Sequence, residues 1–369
     1  MANCKRMYAL WLNAIEGIGA KRYFDICLKF GSPEAAYRNA TKEDLLAIPN
    51  VGEKLASAFM DAKANLSPES TLESLSKHGA KAILLDDEEY PMLLREIADP
   101  PPVLYVLGDI DFNAIKPIAM VGTRRPTRYG REVAHHLAKE LAEAGVTVVS
   151  GMARGIDACS HAGALAGGGK TIAVLGCGVN VVYPKENARL YEEIRQNGAV
   201  ISDYHFDVAP LGNHFPARNR IISGLSRGTV VVESQDKGGS LITADFAMDQ
   251  GRDVFAVPGN ITSPTSVGTN ALIEDGVKMV LRTASILEEY PDWCAPKVKE
   301  PTMVQQKINY AHLDEDEIRV VKLLKEGDLH FDAILTKCAM TSGELGAVLT
   351  IMELKGIIKQ LPGRMYCIG

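Results

Sequence analysis

Residues 117–151 read "PIAMVGTRRPTRYGREVAHHLAKELAEAGVTVVSG", with two short apolar runs separated by a basic turn and a helical stretch. Both runs are almost uniformly apolar, which is typical of strands that are buried on both faces of a sheet. Between them, from about residue 130 to 145, apolar side chains recur at the spacing of an amphipathic helix. A strand, a helix and a strand in this order predict a β-α-β unit of a parallel sheet.

The same alternation continues along the chain. Further apolar runs predict four more strands: "TIAVLG" (171–176), "AVISDY" (199–204), "GTVVVES" (228–234) and "DVFAVPG" (253–259). Upstream, Pro100, Pro101 and Pro102 exclude a helix and precede another extended run, "VLYVLGD". We therefore predict an α/β core at 77–290, with a parallel sheet covered on both faces. Ligands of such sheets bind at the carboxyl ends of the strands.

The segment at 1–76 is predicted to be helical. It contains two similar pieces, in which Gly19 and Gly52 each open an amphipathic helix and are followed by a lysine two positions later. This pattern is typical of a helix-hairpin-helix pair, whose tight turns let backbone N–H groups approach a phosphate. A helical interaction module without contact to DNA is an equally good interpretation.

The C-terminal part of the chain is predicted to form a linker and a small third domain. Residues 291–308 have the composition of a linker, and 309–369 give three helices and a short hairpin, the order of a winged helix. Thr341 or Ser342 would cap the third helix, with Glu344 reaching back to the cap. That helix offers no basic side chains to a DNA groove, so a contact with protein is favoured over duplex recognition.

The whole chain has 369 residues, a net charge of −6 and 46% hydrophobic residues, which is ordinary for a globular protein. No apolar run approaches the ~18 residues of a membrane helix. The N-terminus also lacks the apolar segment of a signal peptide, so we expect a cytoplasmic protein. The seven cysteines show no C-x-x-C spacing, which favours reduced thiols over disulfides or a zinc site. We expect no metal and no cofactor.

The charge distribution suggests an anionic partner. From Lys116 to Val230, basic residues outnumber acidic residues 14 to 9, although the chain as a whole has 40 basic and 46 acidic residues. A basic middle segment can form a local positive surface in an acidic protein. A chance imbalance on a solvated surface is the alternative.

The first candidate loop follows the strand at 117–121. Gly122 ends the strand, Thr123 and Arg124 follow, and a helix is predicted to start between Thr127 and Arg131. Free N–H groups at a helix start favour a phosphate, and an arginine adds bidentate hydrogen bonds. The spacing does not match the G-x-G-x-x-G dinucleotide motif.

Two further strand ends carry polar residues. Asp157 and His161 lie four apart on one helix face, where they form either an acid–base pair or, by the favoured interpretation, a structural contact. After the next strand, Lys185 offers a cation and Asn187 is predicted to cap a helix. Tyr183 either stacks on a base or only packs its loop.

The remaining candidates come late in the core. Arg218, Asn219 and Arg220 precede an apolar helix and suit a sugar–phosphate backbone, unless the arginines form structural ion pairs. Gly239 and Ser240 open another helix with exposed N–H groups. Five phosphate-binding loops on one sheet edge exceed what a mononucleotide needs, which favours a polymer. No nucleophile–base pair accompanies them, so we expect no enzymatic reaction.

These motifs resemble those of the DNA processing protein A (DprA/Smf) family. The resemblance rests on six stretches in the family's order, among them "VGTRRPTRYG", "VVSGMARGIDACSHAGAL", "FPARNRIISGLS" and "GGSLITADFAMDQGRDVFAVPG". It implies an extended Rossmann-like core with an N-terminal helix-hairpin-helix or SAM-like domain and a C-terminal winged-helix-like domain. It also implies single-stranded DNA binding, a homodimer with a face near Leu272 and Ile273, and a role in loading the RecA recombinase during natural transformation.

The resemblance assigns DNA binding to ten residues of this chain. They are Gly122, Thr123, Arg124, Lys185, Asn187, Arg218, Asn219, Arg220, Gly239 and Ser240. Residue 238 is glycine where many members of the family carry serine, so one hydroxyl contact is not matched.

The alternative function is enzymatic. The core also resembles the lysine-decarboxylase-like phosphoribohydrolases, which split nucleotide monophosphates and carry a Pro-Gly-Gly-x-Gly-Thr-x-x-Glu loop with a catalytic acid. The corresponding loop here, "KGGSLITAD", lacks that glutamate, and Glu233 does not have the expected spacing. We therefore favour a binding protein.

Overall fold

The computed structural model describes residues 2–293, 313–324, 327, 329–338, 340–355, 357–361 and 363–368. The chain divides into two units, Met1–Cys294 and Ala295–Gly369. The predicted linker at 291–308 lies outside the described residues from position 294 onward.

The first unit is built on a nine-stranded sheet. Its strands are β1 (Lys81–Leu84), β2 (Val103–Gly108), β3 (Pro117–Val121), β4 (Thr147–Ser150), β5 (Thr171–Val174), β6 (Gly198–Ser202), β7 (Gly228–Val231), β8 (Asp253–Ala256) and β9 (Lys278–Met279). Their order is β1-β2-β6-β5-β4-β3-β7-β8-β9. The six predicted strands are confirmed as β3 to β8, and all of them are parallel.

The first two strands depart from the predicted parallel arrangement. β1 and β2 pair antiparallel with each other, and β2 also pairs antiparallel with β6. The extended run after Pro102 is β2, as predicted, but an apolar run does not reveal its direction in the sheet. Antiparallel edge strands on an otherwise parallel sheet are common in α/β folds.

Fourteen α-helices are described in this unit. They are α1 (Ala2–Ala14), α2 (Ala20–Phe30), α3 (Pro33–Asn39), α4 (Lys42–Leu46), α5 (Glu53–Asn65), α6 (Pro68–His78), α7 (Met92–Arg95), α8 (Arg128–Glu143), α9 (Ile156–Ala166), α10 (Ala188–Gln196), α11 (His214–Gly224), α12 (Gly239–Asp249), α13 (Val267–Glu274) and α14 (Ala284–Leu287). A short 3₁₀ helix covers Lys185–Asn187.

Helices cover both faces of the sheet, as predicted. Along β3, Ile118 and Met120 pack into one apolar cluster with α8, whereas Ala119 and Val121 pack into another with α11. This division follows from the alternation of side chains along a strand. The helices α8 and α9 approach so closely that a Cβ atom on Gly163 would lie 2.3 Å from the carbonyl oxygen of His135.

The sheet has a topological switch point beside β3. The chain leaves β3 through α8 and adds β4 on one side, whereas β7 lies on the other side of β3 and leads through α12 to β8. The connections on the two sides therefore diverge and leave a crevice at the carboxyl ends of β3 and β7. Open α/β sheets bind their ligands in such a crevice.

The N-terminal segment is helical, as predicted, and ends with α6 at His78. Gly19 and Gly52 are the N-cap residues of α2 and α5, and neither cap has a side-chain hydrogen bond. Trp11 of α1 and Phe59 of α5 share one apolar cluster with Tyr105 of β2. The helical segment therefore packs on the sheet, and its folding as a separate domain stays a prediction.

The second unit has the order of elements predicted for a winged helix. It contains α15 (Glu315–Leu324), β10 (Leu329–His330), α16 (Phe331–Cys338), α17 (Ser342–Leu354), β11 (Ile358–Leu361) and β12 (Met365–Ile368). The strand β10 was not predicted and joins the hairpin in the order β10-β12-β11. The predicted capping box of α17 is confirmed, because Thr341 accepts from the Glu344 N–H and the Glu344 carboxylate accepts from the Thr341 N–H.

None of the helices described above combines the length and the hydropathy that a membrane span requires.

Candidate functional site

The carboxyl ends of β3, β4 and β7 open onto a groove of about 610 Å³, called here the strand-end groove. Its lining includes seven of the ten residues that were predicted to bind DNA: Gly122, Thr123, Arg124, Arg218, Asn219, Gly239 and Ser240. Lys185, Asn187 and Arg220 do not line it. Residues from distant parts of the chain therefore meet at the switch point of the sheet.

The turn after β3 is held against its neighbours. A Cβ atom on Gly122 would lie 2.6 Å from the Ile156 side chain, so glycine is needed for this close approach. The Thr123 N–H donates to the carbonyl oxygen of Glu233 at 2.8 Å. The Arg124 side chain is exposed, and its guanidinium lies 5.3 Å from the centre of the Phe215 ring. It has no hydrogen bond or ion pair with any described residue and is available to an anion.

The start of α8 differs from the prediction. The helix begins at Arg128, as expected, but its first turn holds the buried carboxylate of Glu233. This carboxylate accepts hydrogen bonds from the Thr127 N–H at 2.9 Å and from the Thr127 hydroxyl at 2.5 Å. The prediction of a phosphate at this helix start is therefore corrected, because an anion already occupies the favourable end of the helix dipole.

Arg218 lies in the floor of the groove and is 4% exposed. Its Nη1 group donates to the carbonyl oxygens of Val174 and, at 2.9 Å, Gly151. Burial lowers the pKa of this guanidinium, and the nearby carboxylate of Asp157 opposes the shift. The Nη2 group has no hydrogen-bond partner among the described residues, so one side of the guanidinium remains available to a ligand.

Arg218, Asn219 and Arg220 were predicted to precede a helix, but they lie inside α11 (His214–Gly224). The helix includes Pro216 in its first turn. Proline is tolerated in the first turn of a helix, where its missing N–H would have no partner within the helix, so α11 includes it.

Arg220 is buried between two carboxylates. Its Nε atom lies 3.0 Å from Asp99 and its Nη2 atom lies 2.9 Å from Asp203. These pairs favour the interpretation of Arg220 as a structural residue, one of the two alternatives left open by the sequence. Its contact with phosphate stays a prediction.

Asp157 and His161 have separate structural partners. The buried Asp157 carboxylate accepts from the N–H groups of Gly151 at 3.2 Å and Ala153 at 3.3 Å. Burial raises the pKa of Asp157 and lowers the pKa of His161 to about 3. His161 Nδ1 contacts the Thr171 hydroxyl at 2.7 Å. The geometry therefore favours two structural contacts over an acid–base pair.

The loop after β5 carries an aromatic surface and a cation. Tyr183 is 40% exposed and stacks on Phe215, with ring centres 5.5 Å apart. Lys185 is exposed and has no hydrogen bond or ion pair within the described part of the chain. Asn187 precedes α10, but its side chain donates to the Met152 carbonyl oxygen at 2.9 Å and accepts no hydrogen bond from the helix. The prediction of Asn187 as a side-chain cap is therefore wrong.

The start of α12 forms another wall of the groove. Gly238 is its N-cap residue and provides no side-chain hydrogen bond, while the Ser240 hydroxyl donates to Ser234 Oγ at 2.9 Å. A Cβ atom on Gly238 would lie 2.2 Å from Ser234 Oγ, so a serine at 238 would displace that hydroxyl. Asn219 donates to the Gly239 carbonyl oxygen at 3.3 Å.

Two residues of the groove were missed by the sequence analysis. Lys237 is exposed, lines the groove and has no hydrogen bond or ion pair with a described residue. Lys237 directly precedes the two glycines at the start of α12, and this position could have identified it as a candidate, just as the position after a strand identified Lys185. Phe215 had no such signal, because its ring meets Arg124 and Tyr183 only through the tertiary fold.

Comparison with known proteins assigns the family. Residues 81–291 match the family described as DNA recombination-mediator protein A, and residues 307–364 match the DprA winged helix domain. The chain belongs to the DprA family. The predicted family and the predicted fold, an α/β core with a winged-helix domain, are therefore confirmed.

Individual relatives agree with this assignment. The chain is 32% identical over 400 residues to the protein Smf of Synechocystis sp., with 99% of each chain covered. It is 42% identical over 222 residues to the DNA processing protein DprA of Bacillus subtilis, covering 60% of this chain and 75% of that one.

Two solved structures of DprA proteins are also similar. The DprA of Streptococcus pneumoniae gives a TM-score of 0.66 and 35% identity over 78% of this chain and 98% of that one. The DNA processing protein A of Helicobacter pylori, a structure that describes a single-stranded DNA binding mode, gives a TM-score of 0.53 and 31% identity. It covers 58% of this chain and 96% of that one.

We expect Glu233→Ala to lower the free energy of unfolding of the first unit by about 2–3 kcal/mol, because the Thr127 donors lose a charged acceptor. Urea denaturation followed by circular dichroism measures the change. The control is Glu132→Ala, which removes an exposed carboxylate paired with Arg128 on the same helix and should change stability by less than about 0.5 kcal/mol. Equal stability of Glu233→Ala and the native chain would contradict a structural role for this carboxylate.

Proposed function

We propose that the chain binds single-stranded DNA in the strand-end groove. The observation that carries this proposal is the combination of two cations without an ion pair to any described residue, Arg124 and Lys237, with the Tyr183–Phe215 stack on one sheet edge. Cations suit phosphates, and aromatic faces suit unpaired bases, which together are the chemistry of single-strand binding. The single-stranded DNA binding described for the Helicobacter pylori relative supports the same function.

The size of the groove favours a single strand over a duplex. Its volume of about 610 Å³ lies within the range of ordinary ligand pockets and suits one or two nucleotides. Arg124, Lys237 and the free edge of Arg218 would contact phosphates, while bases stack on the aromatic surface. Affinity that depends on phosphates should fall with salt, because each contact releases counterions.

We also propose that the groove binds without catalysis. The Glu233 carboxylate, considered for the phosphoribohydrolase alternative, is 2% exposed and bonded to Thr127 and Thr265. Asp157 is likewise held by backbone N–H groups. Neither carboxylate is arranged to transfer a proton to a ligand in the groove.

We expect Arg124→Ala to weaken binding to a single-stranded oligonucleotide by about tenfold, as for the loss of a charge-assisted hydrogen bond. The slope of log K against log salt should also decrease by about 0.7, the value for one phosphate contact on a single strand. Fluorescence anisotropy over a salt series measures both quantities.

The control for Arg124→Ala is Lys170→Ala, which removes an exposed positive charge at the amino end of β5, on the opposite edge of the sheet. It should change neither affinity nor slope appreciably. Equal effects of the two substitutions would indicate a general charge effect and no specific site in the groove. Failure of the native chain to bind would overturn the proposed function and make nucleotide hydrolysis the next assay.

We propose that the chain acts as a homodimer, as the family resemblance implies. Apolar side chains on or next to α13 and β9 support a contact there, since Val267, Met279 and Leu281 are 42%, 41% and 71% exposed. The predicted dimer residues Leu272 and Ile273 lie on the same helix α13 and are half-buried. Large apolar side chains that are left exposed on successive elements are candidates for a protein interface.

We expect Leu281→Arg to convert the dimer to a monomer, because a buried unpaired charge is unfavourable at an apolar interface. Analytical ultracentrifugation measures the molar mass. Leu28→Arg is the control, since Leu28 is 88% exposed on α2, far along the chain from α13. A Leu281→Arg protein that sediments like the native chain would place the contact elsewhere, and a monomeric native chain would overturn the dimer itself.

We further propose that the chain protects incoming single strands and helps to load the RecA recombinase during natural transformation. The match to the family of DNA recombination mediators supports this role. We expect the native chain to accelerate RecA filament growth on DNA coated with a single-strand-binding protein, and Arg124→Ala to lose the acceleration. Filament growth can be followed by the ATPase activity of RecA. No acceleration by a chain that binds single strands normally would separate DNA binding from RecA loading.

A further inference from the structure

A second pocket adjoins the strand-end groove on the side of α8. It has a volume of about 450 Å³ and is called here the Tyr129 pocket. Its lining residues come from the loops after β3, β7 and β8 and from the start of α8: Thr127, Tyr129, Glu233, Pro258, Gly259, Asn260, Ser263 and Ser266. The pocket therefore lies on the same carboxyl edge of the sheet as the groove.

The groove and the Tyr129 pocket share two loops. The loop after β3 lines the groove with residues 122–124 and the pocket with Thr127. The loop after β7 lines the pocket with Glu233 and the groove with the residues that follow it. A strand bound in the groove therefore needs to cross only one loop to reach the pocket.

Arg125 lies on that shared loop, between Arg124 of the groove and Thr127 of the pocket. Its side chain is exposed and has no hydrogen bond or ion pair among the described residues. A free guanidinium at this point suits the phosphate of a strand that passes from one depression to the other.

The interior of the Tyr129 pocket suits a nucleobase. The Tyr129 ring is 47% exposed, and its orientation is held because its hydroxyl donates to the Pro258 carbonyl oxygen at 3.0 Å. Asn260 Oδ1 accepts hydrogen bonds from the N–H and the hydroxyl of Thr262. Its Nδ2 group, which is a donor, has no partner among the described residues. The Ser266 hydroxyl also lacks a described hydrogen bond, although the residue is 3% exposed.

The charge of the pocket argues for a base and against a phosphate. Glu233 contributes a carboxylate to the lining, and both of its oxygens already accept hydrogen bonds. A phosphate would be repelled by this carboxylate, whereas an uncharged base would meet an aromatic face, an amide donor and a hydroxyl. These are the groups that hold unstacked bases in single-strand binding proteins.

We propose that the Tyr129 pocket is a second nucleotide subsite for the strand bound in the groove, with one base on Tyr129 and the connecting phosphate on Arg125. The proposal rests on single-stranded DNA binding in the groove, which is itself the proposed function. It extends the binding site along the sheet edge toward β8.

The test measures the affinity of the native chain, Tyr129→Ala and Tyr129→Phe for a dinucleotide, which matches the volume of the groove, and for longer oligonucleotides of up to about 16 nucleotides, the upper site size on single-strand-binding folds. Loss of one base stack should weaken binding of the long oligonucleotides by about tenfold. The shortest oligonucleotides, which fill the groove alone, should bind Tyr129→Ala as tightly as they bind the native chain. Tyr129→Phe keeps the ring and should retain most of the affinity.

A second variant tests the connecting phosphate. Arg125→Ala should reduce the salt slope by about 0.7 for long oligonucleotides and leave it unchanged for the shortest. Because the side chain is exposed and has no partner among the residues that the structure describes, this substitution should leave the thermal unfolding temperature unchanged, which separates its effect from misfolding.

The outcomes distinguish the subsite from the proposed function. If Tyr129→Ala binds all lengths like the native chain, or loses affinity equally for all lengths, the subsite is overturned while binding in the groove stands. If the native chain binds no single-stranded DNA at any length, both proposals fail. A loss confined to long oligonucleotides supports the subsite.

Discussion

The carboxylate of Glu233 is the interaction on which both binding depressions depend. Its side chain bonds to Thr127 after β3 and to Thr265 after β8, and its own carbonyl oxygen accepts the Thr123 N–H. One residue at the end of β7 thereby ties together the loops of three neighbouring strands. A Cβ atom on Gly130 would lie 2.2 Å from this carboxylate, so helix α8 must provide glycine beside it. Without the hydrogen bonds of Glu233, the loops would not hold the groove and the Tyr129 pocket at a fixed distance from each other.

Much of the fold follows from periodicity in the sequence. The uniformly apolar runs at β3 to β8 can be recognised as strands without knowing which strands pair, because burial on both faces makes each of them apolar by itself. The antiparallel direction of β1 and β2 cannot be recognised in this way, since the sequence of an apolar run does not depend on the direction of the strand in the sheet. The two-residue strand β9 is too short to show any period.

The sequence predicted where the binding site lies but not which of its side chains are paired, because only the first of these depends on local signals. Glycines and cations at strand ends are local signals, and seven of the ten predicted residues line the groove. The bond between Glu233 and Thr127 joins positions 106 apart, and the ion pair between Arg220 and Asp99 joins helix α11 to the loop after α7, which no local pattern connects. Interactions of this kind decide whether an arginine is free or buried, and only the fold brings their partners together.

Ion pairing, more than the number of charges, determines which cations can serve the proposed DNA site. Arg128, Arg154 and Arg189 all belong to the basic middle of the chain, yet each is paired with a glutamate. The guanidiniums of Arg124 and Arg125 have no such partner among the described residues, and both lie at the switch point of the sheet. A phosphate that binds them replaces only water, whereas one that binds Arg128 must first displace a carboxylate. The net charge of −6 is therefore compatible with binding to an anionic polymer, because acidic residues pair with cations elsewhere and leave Arg124, Arg125 and Lys237 without an ion pair in the described part of the chain.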